Sequence, residues 1–347
     1  MPRCARGCRM ACGNGPPAPF PGKTSPRRPL RYTPRLVEKP RSAAVMAEAS
    51  VADPKIDRPI LCFGTGRGGT TVFLRVLSEH PDLAWFSNFT HRFHHRAFYP
   101  LAALSRIRDL PWLGDALPYD WKIRPKPREA NKLYKAMTGG AFTQPAPLGR
   151  EDARKQLDAW RAAVRSHLRW HGKPRFVNKH TGFPRCEFFL EIFPDARFIH
   201  VMRDGRAVAN SLLNVPWWDG TIENSWWWGE MAEEDEKLFV DSGRAPVVLA
   251  GLVWRTLMRH NERELADVNP AQQFEVNYTH FVADPLGMME RVREYCELRP
   301  SEKFDARIRR IKIHNADDKW KRDLDDEQKR LLHDTIGEDL VHFGFEL

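Results

Sequence analysis

No stretch of this 347-residue chain approaches the roughly 18–20 consecutive apolar residues that a membrane-spanning helix needs; the longest candidate, Ala245 to Trp254, is too short. Cysteine is scarce. Of six, Cys4, Cys8 and Cys12 lie near the start, while Cys62, Cys186 and Cys296 are scattered without a short spacing. That pattern implies no disulfide framework and fits a reducing, cytoplasmic compartment. The opening residues also lack the apolar core of a secretory signal. Acidic residues are nearly missing from residues 1–45, where ten Lys/Arg face only Glu38. The whole chain carries 55 basic and 45 acidic groups, so the remaining 302 residues are left at a net of +1. A body built to coat nucleic acid keeps its charge on the fold, so no nucleic-acid partner is expected.

Nine of the 27 prolines also fall in residues 1–45. Such a segment cannot bury enough apolar surface to offset its ordering entropy, and it is expected to be a disordered basic tail outside a domain spanning 46–347. Met46 opens a more ordinary beginning and is the expected translational start, with an Arg-rich transit peptide as the competing reading. The tail's three cysteines lack a fourth ligand, and no metal site is expected there.

From Pro59 the pattern becomes strand, turn, helix. Ile60-Leu61-Cys62-Phe63 reads as a buried parallel strand, and Thr70 to Glu79 as a helix stopped by His80-Pro81. Helices are expected at Glu151 to Trp170, Pro184 to Phe193, from Asp204, Val247 to Leu265 and Pro285 to Leu298. Strands are expected at Arg175 to Lys179, Arg197 to Met202 and Phe274 to Tyr278. This alternation predicts an α/β fold with a central parallel sheet flanked by helices. Ligands of such sheets bind beyond the carboxyl ends of the strands.

Two motifs sit at that edge. Gly64-Thr65-Gly66-Arg67-Gly68-Gly69-Thr70-Thr71 lies directly between a strand and a helix, where loop amides and the helix start form an anion cradle. Its spacing is that of a nucleotide-triphosphate P-loop, but Thr70 stands where the P-loop lysine would be, and Arg67 supplies the charge instead. The second motif runs from Phe198 to Ser211. Arg203 ends the strand and Ser211 follows eight residues later, a pair able to converge on another phosphate.

Together these motifs resemble the sulfotransferase family that uses 3′-phosphoadenosine 5′-phosphosulfate (PAPS), with a P-loop-like fold. The resemblance covers about residues 58–347. It implies that Gly66, Arg67, Gly68, Gly69, Thr70 and Thr71 hold the 5′-phosphosulfate, and that Arg203 and Ser211 hold the 3′-phosphate. Val276-Asn277-Tyr278 through Asp284-Pro285 looks like the family segment whose tyrosine approaches adenine, which implies Tyr278 as a further contact. Asp318-Lys319-Trp320-Lys321 also looks like bacterial members and implies Lys319 near the nucleotide. Val72 stands where many relatives carry an adenine-stacking aromatic. Arg67 would neutralise charge on the transferring group, and Lys179 matches a family lysine able to take over that role.

The base that removes the acceptor proton has several candidates. His180 ends a strand close to where the family's histidine lies, though it could equally be packed at the strand end. His91, His94 and His95 could line the acceptor site; as a metal site they lack a carboxylate. Five tryptophans, Trp217, Trp218, Trp226, Trp227 and Trp228, could wall an acceptor or pack over the sheet edge. The expected activity is sulfuryl transfer from PAPS, without a metal, to the hydroxyl or amine of a small-molecule or glycan acceptor. Two alternatives stand beside it: a P-loop kinase using ATP and Mg²⁺, and a nucleotide-dependent binding or scaffold protein.

Overall fold

Four strands were legible in the sequence, and the sheet is built around the first of them. In the computed structural model β1 (Ile60–Phe63) lies at the centre, with β3 (Arg175–Lys179) and β4 (Arg197–Met202) on either side. The edges are β2 (Leu83–Trp85) and β5 (Gln273–Asn277), giving the order β2-β3-β1-β4-β5 with every pair parallel. The structure describes residues 53–110, 121, 123–143 and 148–347. The basic tail, its cysteines and the start at Met46 lie outside the described residues.

Side chains of a strand alternate between the sheet's two faces. Leu61, Phe63, Phe176 and Phe198 face one core, shared with the helices Leu157–His171 and Cys186–Ile192. Ile60, Cys62, Val177, Ile199 and Val201 face the other, shared with α1 (Thr70–Leu77) and the helix Pro285–Tyr295. A third core joins α2 (Gly205–Leu213), α3 (Pro246–Ala266) and α4 (Asp326–His342). Helices on both faces explain why β1, Ile60-Leu61-Cys62-Phe63, reads as an unbroken apolar run.

The helix expected over 151–170 is two, Arg150–Arg154 and Leu157–His171, because Gln156 leaves the helical region at φ −126°, ψ 1°. The three-residue β2 carries too short a pattern to be seen in sequence and is defined by its pairing with β3. A 3₁₀ stretch at Arg96–Asp109, with Pro100 inside it, was likewise not anticipated. Among the described residues no helix is long and apolar enough to cross a membrane.

The chain leaves β1 toward β2 and leaves β4 toward β5, in opposite directions. A crevice therefore opens beyond the carboxyl ends of these neighbouring strands. Both sequence motifs begin there.

Three core histidines make stability depend on pH. Burial lowers His167 to about 4, and His180 and His200 to about 3. The unfolded chain, titrating near 6.5, takes up these protons first. Their contribution is therefore complete above about pH 6.5 and is lost as pH falls toward the folded values. Each site contributes a slope of up to about 1.4 kcal/mol per pH unit. Urea midpoints measured between pH 7.5 and 4.5 should fall steeply, and His200→Gln should flatten the dependence. A midpoint constant over that interval contradicts the reading.

Candidate active site

The loop after β1 can reach its conformation only with glycine at its end. Gly69 has φ +87°, and a Cβ there would stand 2.2 Å from the Tyr278 ring. Arg67 also takes a left-handed conformation, φ +64°, uncommon for a residue with a side chain. The Gly68 amide donates to Thr65 O at 3.0 Å and closes the turn. α1 starts straight from Gly69 with no side-chain cap, so its first-turn amides are left for an anion.

Arg203 leaves β4 under several constraints. Its carbonyl accepts from Trp254 Nε1 at 2.9 Å, and its buried guanidinium donates through Nε to Asp317 Oδ1 at 2.7 Å. Nη1 donates to Arg67 O at 2.9 Å, and the group lies 5.0 Å over the Tyr278 ring. Thr279 Oγ1 donates to the other Asp317 oxygen at 2.8 Å. Ser211, on α2, accepts from Arg67 Nε at 2.9 Å. The two motifs, more than a hundred residues apart, are thus one hydrogen-bonded unit. Tyr278 is buried beneath them, and burial raises its hydroxyl above the ordinary value.

Lys179 and His180 part company at the end of β3. Lys179 Nζ donates to Thr70 Oγ1 at 3.3 Å and to Thr181 Oγ1 at 2.9 Å, and pairs with Glu129 Oε2 at 2.8 Å. Its ammonium therefore stands beside the position where a P-loop lysine would be. Glu129 also accepts from the Thr181 amide and hydroxyl, each at 2.9 Å. Burial pushes its carboxyl up, but the Lys179 charge and these hydrogen bonds outweigh burial and hold it below the usual value.

His180 points into the core on the opposite face. Its ring packs against Phe63, Phe142 and Phe189, and Nε2 faces Pro184 O at 2.8 Å. The reason is the alternation of the strand: Phe176 and His180 share one face, Val177 and Lys179 the other. His180 does not line the cavity, and the packed-histidine reading describes it. His91, His94 and His95 do not line it either. Among the described residues no three His, Cys, Asp or Glu side chains are grouped as a metal ion would require.

Arg67, Thr70, Thr71, Lys179, Arg203 and Tyr278 meet around a cavity of about 600 Å³, with Gly66, Gly69 and Glu129 also in its wall. Trp217, Trp218, Trp227 and Trp228 form another side, and Trp217 stacks on Trp227 at 5.4 Å. Trp226 is turned away, its Nε1 donating to Gly229 O at 2.8 Å. Lys319 is exposed at the start of a short helix, Lys319–Asp323, and is not in the wall.

Three residues that sequence reasoning missed belong here: Glu129, Asp317 and Arg185. Arg185, 4% exposed, donates to Phe183 O and Phe142 O at 2.9 and 2.8 Å and lies 4.2 Å over the Phe142 ring. Burial lowers it to about 10 despite the charges of Glu264 and Glu129. Among the described residues no carboxylate reaches it at ion-pairing distance. No local pattern marks any of the three; each is recruited from a loop by the fold.

Comparison with known proteins agrees with this arrangement. The sulfotransferase family model matches residues 59–302. Over 175 residues, 47% of the chain, it is 25% identical to the omega-hydroxy-beta-dihydromenaquinone-9 sulfotransferase Stf3 of Mycobacterium bovis, and equally to that of Mycobacterium tuberculosis. The match spans 39% of the length of those relatives. The crystal structure of sulfotransferase STF9 from Mycobacterium avium shares the fold, with a TM-score of 0.52 and 19% identity, over 86% of this chain and 80% of that one. With its phosphate loop, its second arginine–serine motif and this family match along most of its length, the chain belongs to the sulfotransferase family.

Proposed function

We propose that this protein transfers a sulfuryl group from PAPS to the hydroxyl or amine of an apolar acceptor. The observation that carries the reading is the junction of Arg67, Ser211 and Arg203: Arg67 donates to Ser211, Arg203 donates to the Arg67 carbonyl, and both arginines stand in the cavity wall, which supports two anion positions there. A nucleotide with phosphate groups at both 3′ and 5′ positions fits that pair. ATP has no 3′-phosphate to use the second one, which disfavours the kinase reading.

In this assignment the 5′-phosphosulfate rests on the loop from Gly66 to Thr71, and the 3′-phosphate on Ser211 and Arg203. Tyr278 supports the nucleotide side. Without nucleotide, Arg67 is held on Ser211; a 3′-phosphate competes for that hydroxyl and frees the guanidinium for the sulfuryl oxygens. The acceptor oxygen then attacks sulfur, the bond from sulfur to the bridging oxygen breaks, and adenosine 3′,5′-bisphosphate leaves with the bond's electron pair. Lys179 and Arg67 counter the charge that grows on the bridging and sulfuryl oxygens.

Glu129 replaces His180 as the base. While paired with Lys179 its carboxylate is a weak base. A bound donor draws the ammonium toward the sulfuryl group, and burial then makes the same carboxylate more basic, so donor binding arms the site. The tryptophan wall suits an apolar acceptor. That choice is in keeping with the omega-hydroxy-beta-dihydromenaquinone-9 in the name of the mycobacterial relatives.

Transfer of ³⁵S from labelled PAPS to a panel of apolar alcohols and amines tests the reading. Glu129→Gln should lower kcat about 10²–10⁴-fold while affinity for adenosine 3′,5′-bisphosphate is kept. His180→Gln should leave the acid limb of the pH–rate profile where it is, and a shifted limb would restore His180 as base.

The two motifs should separate kinetically. Ser211→Ala should raise KM for PAPS about tenfold, the equivalent of one hydrogen bond to a charged group. Arg67→Ala should lower kcat about 10²–10³-fold. If Arg67→Ala changes only KM, the charge-neutralising role belongs to Lys179.

A further inference from the structure

One cation in the wall of the main cavity has no role in the sulfuryl transfer and, among the described residues, no ion-pair partner: Arg185. It precedes the helix Cys186–Ile192 and sits in the left-handed region, φ 54°, ψ 45°. A residue with a side chain holds that conformation at a cost that glycine avoids, and such positions cluster at ligand sites. The side chain is almost fully buried and lies on the Phe142 ring. Nη1 and Nη2 donate to the carbonyls of Phe183 and Phe142. Nε is buried too, and it has no hydrogen-bond partner among the described residues.

The charges of two carboxylates act on this guanidinium, and both groups are committed elsewhere. Glu264 accepts from the Cys186 amide at 2.8 Å and faces His260 Nε2 at 2.6 Å. Glu129 holds Lys179 and Thr181. A buried cation left without an anion is unfavourable, and so is a buried N–H without an acceptor. An anionic oxygen entering the cavity would relieve both. Arg185 also stands on the side of the cavity away from the phosphate loop's own contacts. Its hydrogen bonds run to Phe142 and Phe183, and the Phe183 ring packs on Trp228 at 5.6 Å. Phe142, Trp228 and Glu129 share the cavity wall with it.

We propose that Arg185 selects an acceptor that carries a carboxylate on an otherwise apolar body, with the carboxylate on the free Nε–H and the hydroxyl or amine turned to Glu129. The inference rests on the sulfuryl-transfer reading of the cavity and narrows its acceptor. A carboxylate is planar and carries one charge, which matches one guanidinium. A phosphate would bring a second charge into a wall of aromatic rings, where nothing balances it. The apolar body of the acceptor then lies on the tryptophans, which offer broad apolar faces.

Two measurements on the full chain test this. In calorimetry with adenosine 3′,5′-bisphosphate bound, dodecanoate should bind at least about tenfold more tightly than methyl dodecanoate, the equivalent of one hydrogen bond to a charged group. In ³⁵S transfer from labelled PAPS, terminally hydroxylated fatty acids of graded length should show KM at least about tenfold below that of their methyl esters. Arg185→Gln should bring acids and esters to equal KM while affinity for the bisphosphate is kept, and Arg185→Lys should restore part of the preference. Equal binding of dodecanoate and its ester by the parent protein would overturn the proposal, and this comparison decides the matter even if Arg185→Gln fails to fold. An acid preference that survives in Arg185→Gln would place the selecting charge elsewhere, and a loss of bisphosphate affinity would place Arg185 on the nucleotide; either overturns it. Transfer to esters and acids alike would leave the sulfuryl-transfer reading standing without this acceptor class. Failure of the bisphosphate itself to bind would overturn both.

Discussion

The buried ion pair between Arg203 and Asp317 is the contact on which the site depends. One guanidinium fixes the end of β4, the Arg67 carbonyl in the phosphate loop and the segment before the last helices. Both partners are almost fully buried. Removing either would strand a charge inside the protein, a change that typically costs about 3–5 kcal/mol. The arginine proposed to hold the 3′-phosphate is therefore also a structural joint. Gly69 obeys the same constraint, since the Tyr278 ring beneath Arg203 occupies the space a side chain would need.

Charge balance around the cavity has a similar logic. Among the described residues, Arg67, Lys179, Arg185 and Arg203 share the cavity wall with one carboxylate, Glu129, while Asp317 pairs with Arg203 behind it. Such a surface suits the anionic nucleotide proposed for it. Lys179 and Glu129 hold each other, which keeps the ammonium beside Thr70. Arg185 is a buried cation whose hydrogen-bond partners, among the described residues, are carbonyl oxygens, with an aromatic ring beneath it.

Local patterns were legible and distant partnerships were not. The strand, glycine turn and helix from Ile60 to Leu77 form a continuous signal, as does the strand and helix from Arg197 to Leu213, and the structure reproduces both. Glu129 sits in a Pro- and Arg-rich loop that looks like any solvated turn, and only the fold brings it to Lys179. Asp317 is equally unmarked. His180 is different, because strand alternation already prevents it and Lys179 from facing one site.

Titration calorimetry without metal tests the central claim most directly: one cavity with two anion positions selects a nucleotide phosphorylated at both ends. Adenosine 3′,5′-bisphosphate should bind at least about a hundredfold more tightly than AMP, the equivalent of about 2.7 kcal/mol for charge-assisted contacts to a second phosphate. ATP with Mg²⁺ should not displace it. Equal affinity for AMP and the bisphosphate, or tighter binding of ATP with Mg²⁺, would contradict the assignment of Arg203 and Ser211 and the sulfuryl-transfer reading built on it.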